Sequence, residues 1–404
     1  MRKSGKLKAL ALRVLLLAGI ALGFAGAADA AAAKLNSMQT PLQGSSEVMI
    51  SLRHQDHMWE AANGETYVVI NRGLPANKGS LQLYATPDRG LSWYPGPRLP
   101  GSYSQSFSDG YLIGNTLYLT YTNTVGEVVF TALQRKGTTA VPAWKTLWSE
   151  IAFSSPDYYA DNPAVAVDAN GTTWIAFVAR SGTYYSIRML RKSSQEEGWV
   201  DTGFTFGDID NLSIERSAKL VATATGMGMV YAVHNQIFWA SRDNNWPLDQ
   251  PWGGQVVFTS SNNDNDPYSS HFSIAADAQY NIHMSLTDGN RVGYSRFDAA
   301  TGMWKSKWLT GVVNAAYIQT SIVAGDVVVT ANSGSSRLMV YRSVDGGNTF
   351  TMPYTLEHPA PGGGVSYVYA RMETAAITAG PMLVLQQYID NGTQRLLLFN
   401  VPLP

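Results

Sequence analysis

Two copies of one short pattern, far apart in the chain, constrain the fold more than any other sequence feature. Residues 86–93 read Thr-Pro-Asp-Arg-Gly-Leu-Ser-Trp, and residues 343–350 read Ser-Val-Asp-Gly-Gly-Asn-Thr-Phe. Both fit a template of hydroxyl, Asp, Gly, hydroxyl and aromatic residues at fixed spacing. This spacing fits a tight turn, because the Asp carboxylate accepts hydrogen bonds from backbone N–H groups and the Gly adopts a positive φ. A turn that recurs in this way predicts a repeated β unit.

Weaker versions of the pattern, each a polar turn followed by Trp, occupy the interval between the two copies. Aromatic residues then recur every 46 to 58 residues, at Trp93, Trp144, Trp199, Trp246, Trp304 and Phe350. A period in this range is typical of propeller blades, solenoids or arrays. A plain β-sandwich, which is the main alternative, does not produce such a period.

A second signal repeats with the same period, namely a small apolar strand, a turn and a bulkier strand. The turns lie at Asn63-Gly64, Gly114-Asn115, Asn170-Gly171, Gly226, Gln279-Tyr280, Gly325-Asp326 and Gly380-Pro381. Seven turns and six aromatic anchors predict an all-β fold, a seven-bladed β-propeller of four-stranded antiparallel blades, with six blades as the alternative. We expect the N-terminal run Glu47–Leu52 to supply the missing outer strand of the last blade, because closure removes exposed sheet edges.

The Asp-containing turns resemble the Asp-box, or bacterial neuraminidase repeat, of sialidase-like β-propellers. The resemblance covers the repeat architecture along residues 47–404, which we expect to form a single propeller domain. It implies a glycoside hydrolase, or a related carbohydrate-binding protein, with its site at one mouth of the central channel. The family's Arg-Ile-Pro signature is replaced here by Ser51-Leu52-Arg53-His54-Gln55.

The N-terminal region predicts an exported protein. Residues 1–30 combine a basic start, an apolar run and a small-residue site at Ala28-Asp29-Ala30, which is typical of a bacterial signal peptide. Residues 31–46 are expected to form a flexible segment, and the mature protein is expected to be periplasmic or secreted, without a membrane span. The chain has no Cys, which excludes thiolate catalysis and thiolate metal sites. Its net charge of −1 gives no indication of a nucleic-acid partner.

Polar residues cluster where the innermost strand of each blade begins, and propeller geometry brings these positions together at one channel mouth. Arginines, carboxylates, tyrosines and histidines are the groups that hold an anionic sugar and break its linkage. We therefore predict a carbohydrate or glycan ligand at this mouth. Our candidate catalytic residues are Tyr369, Glu215, Asp109 and His271, and our candidate substrate-binding residues are Arg53, Arg216, Arg371, His57, Asp161 and Tyr268.

The resemblance to sialidases implies specific roles for some of these residues. Tyr369 matches the nucleophile that opens the last blade, and Glu215 matches the residue that activates it. Three arginines clamp the substrate carboxylate in that family, and Arg53, Arg216 and Arg371 are the candidates here. Asp109 and Asp161 also fit simple turn caps.

Some secreted propeller polysaccharide lyases also resemble this layout. Lyase chemistry needs a base, an acid and a cation that neutralises the uronate carboxylate. The candidates are His271 or His57 as base, Tyr268 or Tyr369 as acid, and Arg216 or Arg371 as cation. A non-catalytic envelope propeller that binds a protein partner or a glycan is the remaining alternative, because one fold serves many functions.

We expect no cofactor. Residues 262–266 read Asn-Asn-Asp-Asn-Asp, an oxygen-rich run that leaves calcium as a minor alternative, but the run lacks the Gly and closing Glu of a helix–loop–helix calcium loop. His54 and Asp56 share one face of an extended strand while His57 faces the other way, so this cluster does not predict a transition metal site.

Overall fold

Seven sheets, each built on four antiparallel strands, make up this computed structural model, and one of them carries additional two-residue strands. The structure describes residues 33–34, 37–46, 49–50, 52, 54–138, 140–210, 217–233, 235–260, 272–288, 291–311, 315–334, 337–351, 353–357, 365–377, 382–401 and 403. Each sheet is one blade of a β-propeller, so the prediction of seven blades is confirmed. Residues Lys34–Pro404 group into one compact unit.

The strands of blades 1 to 6 follow one another outward from the channel in chain order, whereas the outer strand of blade 7 comes from the N-terminal part of the chain. Blade 1 consists of Met58–Glu60, Thr66–Asn71, Leu81–Thr86 and Tyr94–Arg98, and blade 2 of Ser108–Ile113, Thr116–Thr122, Val128–Gly137 and Pro142–Phe153. Blade 3 consists of Tyr159–Val167, Thr173–Ser181, Tyr184–Lys192 and Val200–Asp210, and blade 4 of Ser217–Ala222, Gly226–Val233, Gln236–Asp243 and Gly253–Thr259. Blade 5 consists of Phe272–Ala276, Ile282–Asp288, Arg291–Asp298 and Met303–Leu309, and blade 6 of Ala315–Val323, Asp326–Ser333, Arg337–Ser343 and Tyr354–Glu357. Blade 7 consists of Val365–Arg371, Met382–Asp390, Thr393–Val401 and Ser37–Gly44.

The described helical structure is a single short 3-10 turn, Ala76–Lys78. A two-residue strand, Ala376–Ile377, pairs in parallel with the innermost strand of blade 6, and Ala33–Lys34 is another two-residue strand. Within the described part of the chain, no helix has the length and apolar character needed to cross a membrane.

The two sequence copies that revealed the repeat occupy equivalent turns, between the third and outer strands of blades 1 and 6. Oδ1 of Asp88 accepts from the N–H of Ser92 at 2.8 Å, and Oδ1 of Asp345 accepts from the N–H of Thr349 at 2.8 Å. In both turns the first hydroxyl donates to this Asp and accepts from the N–H of the Gly. The template therefore encodes one hydrogen-bonded turn at two equivalent places.

The aromatic anchors join neighbouring blades. Ring centroids lie 4.7 Å apart for Trp144 and Tyr67, 5.0 Å for Trp199 and Phe130, 5.7 Å for Trp304 and Trp239, and 4.7 Å for Phe350 and Tyr294. In each pair the anchor packs on the preceding blade. Blade 4 differs from our reading, because its ring on the preceding blade is Trp252, which lies 5.7 Å from Trp174, and not Trp246.

An N-terminal strand closes the last blade as expected, but our choice of segment was wrong. The outer strand of blade 7 is Ser37–Gly44, which pairs with Thr393–Val401, and it comes from the segment that we expected to be flexible. Met49 and Ile50, from the apolar run Glu47–Leu52, lie in a turn and are buried among residues of blades 1 and 7. Their apolar character reflects this burial and not a strand.

Candidate functional site

Half of the predicted site residues lie within the described part of the structure. The described residues are Tyr369, Asp109, Arg371, His57 and Asp161. His57 immediately precedes Met58–Glu60, Asp109 and Asp161 lie within the first three residues of their innermost strands, and Tyr369 and Arg371 lie towards the end of Val365–Arg371. Arg53, Glu215, Arg216, Tyr268 and His271 lie outside the described residues, as do the turn Gly380-Pro381, the oxygen-rich run 262–266 and the predicted signal peptide. We call the channel end at which the innermost strands begin the strand-start face.

The innermost strands of three blades carry a bulge at this face. The register shifts between Asp161 and Ala164 in blade 3, between Ala316 and Gln319 in blade 6, and between Tyr367 and Ala370 in blade 7. Asn162 and Tyr317 adopt positive φ values of 45° and 51° inside these bulges. A bulky side chain in this region is strained, and both bulges and such strain concentrate at functional sites, where they re-aim side chains.

Two tyrosines and an arginine come together where blades 6 and 7 meet. The ring centroids of Tyr317 and Tyr369 lie 5.1 Å apart, and Cζ of Arg371 lies 5.7 Å from the centroid of the Tyr369 ring. Both tyrosines are half-buried, whereas Arg371 is 0% exposed. Of these three side chains, only the two tyrosines are therefore accessible to solvent.

A second aromatic patch lies at the same face, between the loop that joins blades 1 and 2 and the start of the innermost strand of blade 3. The hydroxyl oxygens of Tyr103 and Tyr159 are 3.0 Å apart, and Cζ of the exposed Arg180 lies 5.1 Å from the centroid of the Tyr159 ring. Burial raises the pKa of Tyr103, and the hydrogen bond to Tyr159 and the charge of Asp161 raise it further. The patch thus combines two tyrosine rings with a solvent-exposed cation.

The histidines at the start of blade 1 are buried. Nδ1 of His57 is 3.4 Å from the carbonyl oxygen of Val69, and the ring of His54 stacks on Phe272 at 5.4 Å. These contacts tie the start of blade 1 to its own second strand and, across the channel, to blade 5. They give both histidines a packing role.

Asp109 belongs to a buried ionic cluster in the middle of the channel. Nζ of Lys219 lies 2.6 Å from Oδ1 of Asp109 and 2.8 Å from Oδ2 of Asp56. Oδ1 of Asp109 also accepts from the N–H of Asp56 at 2.6 Å, and its Oδ2 accepts from the N–H of Val165 at 2.9 Å. The hydroxyl of Thr374 donates to Oδ1 of Asp56 at 2.7 Å. This central cluster, Asp56, Asp109, Lys219 and Thr374, links blades 1, 2, 4 and 7.

In the central cluster, two carboxylates share one ammonium. Burial raises the pKa of Asp109 to about 6; the pairing with Lys219 lowers it and the charge of Asp56 raises it. Burial alone lowers the pKa of Lys219, but the charges of Asp109 and Asp56 outweigh it and hold the pKa above its usual value. Lys219 is therefore a charged structural group.

A cavity of about 280 Å³ occupies the opposite end of the channel, where the innermost strands end. Its lining comes from blades 1, 2, 4, 5 and 7 and includes Trp59, Glu60, Tyr111, Tyr280 and Glu373. We call it the strand-end cavity. None of the site residues predicted from the sequence lies in this lining, because those candidates are residues around the beginnings of strands. A charged residue inside an otherwise small apolar strand, such as Lys219 in Ser217–Ala222, is the signal that could have revealed it.

Glu373 joins the two blades at the closure of the ring. Its Oε2 accepts from the N–H of Glu60 at 2.6 Å, and its Oε1 accepts from the N–H of Ala375 at 2.8 Å. Burial, together with the charge of Asp56, raises the pKa of Glu373 to about 8. Among the described residues, no group of three or more His, Cys, Asp or Glu side chains is arranged to hold a metal ion.

Solved β-propeller structures are similar to this chain. A polysaccharide lyase described as an ulvan lyase gives a TM-score of 0.56 at 10% identity, over 90% of this chain and 96% of that chain. The polysaccharide lyase Uly1 gives 0.51 at 11% identity, over 86% of this chain and 90% of that chain. A sialidase from Trypanosoma rangeli gives 0.47 at 10% identity, over 86% of this chain and 54% of that chain. No protein-family model and no curated protein matches the sequence. At identities of 10% and 11%, what the two lyases share with this chain is the fold.

Proposed function

We propose that this protein binds an anionic polysaccharide at the strand-start face. The observation that carries the proposal is the pair of aromatic patches at this face, Tyr103 with Tyr159 and Tyr317 with Tyr369, held next to bulged strands. Tyrosine rings bind sugar faces, and a guanidinium binds carboxylates in a bidentate manner. The exposed Arg180 beside Tyr159 supplies such a group.

The ulvan lyase and the lyase Uly1, which share the fold, are both polysaccharide lyases, and this supports a polyuronate as the ligand class. Export to the periplasm or the exterior, as the N-terminal sequence predicts, would place the protein where such polysaccharides occur. Sialosides are the alternative anionic ligand that the resemblance to sialidases implies.

The binding proposal can be tested with a matched pair of glycine variants. A Cβ at Gly126 would lie 2.3 Å from Cδ2 of Tyr159, whereas a Cβ at Gly171 meets no atom within 4 Å, and their φ values are 77° and 79°. Both substitutions strain the backbone equally, but only Gly126→Ala displaces the Tyr159 ring. We expect calorimetric titration with polyuronate oligosaccharides to reveal weaker binding for Gly126→Ala and unchanged binding for Gly171→Ala.

Arg180→Ala should weaken polyuronate binding and leave binding of neutral glucans unchanged. If no polyuronate or sialoside binds the wild-type protein, the proposal is wrong. Recovery of a stoichiometric protein partner from the exported fraction would then favour the protein-docking alternative.

Cleavage of the bound polysaccharide is a second candidate function, favoured by the packing of Tyr369 between Tyr317 and Arg371. In a β-elimination a base removes the C5 proton, the C4–O bond breaks, a C4–C5 double bond forms and the leaving oxygen takes a proton. Tyr369 would donate that last proton, and the buried Arg371 would hold the ring in place.

The experiment is incubation with polyuronates while the ultraviolet absorption of the unsaturated ends is followed. We expect Tyr369→Phe to abolish product formation and to retain binding, because only the hydroxyl is removed. Binding without any unsaturated product from the wild-type protein would leave the binding function and eliminate the lyase.

A further inference from the structure

The strand-end cavity is separate from the strand-start face. Lys219 and Asp56 line it, and these two residues also belong to the central cluster. Its walls include the rings of Trp59, Tyr111 and Tyr280. A volume of about 280 Å³ corresponds to roughly nine water molecules at ~30 Å³ each, which is enough for a small organic molecule.

Acidic side chains outnumber basic ones in the lining of this cavity. Asp56, Glu60, Asp277 and Glu373 line it, and Lys219, already paired with Asp56 and Asp109, is the basic residue in its lining. Within the described part of the chain, these carboxyl groups are not grouped as a metal site. Carboxyl groups spread around an aromatic cavity fit a larger cation, because cations are attracted to the faces of Trp and Tyr rings.

Two buried polar atoms of the lining residues have no hydrogen-bond partner among the described residues, namely Nε1 of Trp59 and Oε1 of Glu60. The Trp59 side chain is only 2% exposed. A buried polar group without a partner costs about 1–3 kcal/mol, so such atoms call for an explanation. The indole N–H of Trp59 is a donor that fits an oxygen acceptor, and the free carboxyl oxygen of Glu60 fits a positive charge.

Tyr280 is held in a backbone conformation that disfavours its side chain. Its φ is 61°, whereas four other blades place a glycine with positive φ in the corresponding turn, Gly64, Gly114, Gly171 and Gly325. The Tyr280 residue is nevertheless 40% exposed, so burial of its ring does not compensate fully for the strain. An aromatic residue kept in a strained turn beside a cavity is typical of a ligand contact.

We propose that the strand-end cavity binds a small organic ammonium that carries a hydroxyl or similar oxygen. The ammonium lies against the rings of Trp59, Tyr111 and Tyr280 and neutralises the carboxyl of Glu60. The oxygen accepts from Nε1 of Trp59. This site does not depend on the carbohydrate proposal, because it involves other residues at the other end of the channel.

Choline is the probe, and 3,3-dimethylbutan-1-ol, its uncharged isostere, is the matched ligand control. We expect choline to bind the wild-type protein in calorimetric titration and to change its tryptophan fluorescence. The neutral isostere should bind at least about tenfold more weakly, a factor that corresponds to about 1.4 kcal/mol. Equal binding of the two ligands, or no choline binding, would overturn the proposal, as would binding of neutral sugars at this site in place of choline.

Two variants locate the site. Glu60→Gln keeps the side-chain shape, removes the charge and should weaken choline binding about tenfold. Tyr280→Gly relieves the strained φ, so it should fold at least as well as the wild-type protein and yet lose most of the binding. Asn391→Gly is the control, because it relieves a φ of 47° in a turn of blade 7 that does not line the cavity.

Unchanged choline affinity in both Glu60→Gln and Tyr280→Gly would show that the ligand binds elsewhere and would overturn the assignment. Polyuronate binding should be the same in these variants as in the wild-type protein. Loss of polyuronate binding in Gly126→Ala with retained choline binding would separate the two proposals.

Discussion

The ammonium of Lys219, in blade 4, lies 2.6 Å from Oδ1 of Asp109, in blade 2. This contact crosses the channel and is buried, and the same ammonium also reaches Asp56 of blade 1. Propeller blades otherwise contact mainly their two neighbours. The cluster therefore couples non-adjacent blades, and its loss should affect the whole ring.

Replacing Lys219 should be among the most destabilising single changes. Lys219→Met leaves two buried carboxylates without their cation, which typically costs about 3–5 kcal/mol. Equilibrium unfolding in urea measures the free energy. The control is Lys305→Met, at an exposed position on an outer strand, which should change stability by no more than about 0.5 kcal/mol. Equal effects of the two substitutions would contradict the structural role of the cluster.

The buried ion pair between blades 1 and 2 should contribute far more to stability than an ion pair on the surface. Arg135 donates to both carboxylate oxygens of Glu65, from Nε at 2.7 Å and from an Nη at 2.5 Å. Burial raises the pKa of Glu65, but the hydrogen bonds from Arg135 and Tyr67 outweigh this and hold it below its usual value. Arg135→Gln should cost about 3 kcal/mol or more, because it leaves a buried charge unpaired.

The matched control for that pair is Arg395→Gln. Arg395 pairs with Asp390 at 3.3 Å on a surface where both side chains are partly exposed, and such pairs contribute about 0–1 kcal/mol. Thermal and urea unfolding should separate the two variants clearly. A loss at Arg395 as large as that at Arg135 would mean that burial is not the deciding variable.

Adjacent glycines in the blade 6 turn should respond differently to the same substitution. Both Gly346 and Gly347 have positive φ, but a Cβ at Gly347 would lie 1.8 Å from the hydroxyl oxygen of Tyr294, whereas one at Gly346 meets nothing within 4 Å. Gly346→Ala should cost about 1 kcal/mol from backbone strain. Gly347→Ala should cost about 1–3 kcal/mol more, because it overpacks the interface between blades 5 and 6. Melting temperatures of the two variants test this order.

Stability should fall as the pH rises through the neutral range, because of Glu373. Its folded pKa of about 8 lies above its ordinary value of 4.5, so the folded state holds a proton that the unfolded chain releases between these values. The contribution is fully present below pH 4.5 and is lost as the pH rises to about 8, by at most about 1.4 kcal/mol per pH unit.

Urea unfolding of the wild-type protein and of Glu373→Gln, at several pH values from about 5 to about 8.5, checks this expectation. The variant should lose the slope above about pH 6; below that, Asp109, whose pKa is also raised to about 6, contributes in the same direction. Wild-type stability that increases with pH across this range would contradict the assignment.

The architecture could be predicted from the sequence because turn patterns and aromatic residues recur at an almost constant spacing. Asp88 and Asp345 specify the same turn, and rings such as Trp144 and Phe350 fill equivalent blade interfaces. Because the blades reuse the same kinds of turn and interface contact, sequence patterns that are weak in one blade become recognisable over all the repeats. The strand-start position of Asp161 follows from that register, whereas Tyr369 lies towards the end of Val365–Arg371.

The closing strand was mistaken because outer strands carry little hydrophobic signal. Ser37–Gly44 lies at the rim and is mostly polar, while the neighbouring Met49 and Ile50 are apolar because they plug the interface of blades 1 and 7. Strand propensity depends on such surroundings, which a short window does not contain.

The ionic cluster was missed for a different reason. Lys219 and Asp109 are 110 positions apart, and Lys219 and Asp56 are 163 apart. Only the ring brings them together. Asp109 alone fits a catalytic acid or a turn cap, and the sequence does not reveal that a lysine from blade 4 pairs with it.

The sharing of one blade between the two ends of the chain has a kinetic consequence. Ser37–Gly44 is synthesised early, and its partner Thr393–Val401 emerges only after six other blades have been made. Loop closure over such a separation is slow, and an unpaired strand edge favours aggregation meanwhile. The ring of a newly synthesised chain therefore stays open until its C-terminal strands emerge. Pairing of Ser37–Gly44 with Thr393–Val401 should be the last and rate-limiting step of assembly.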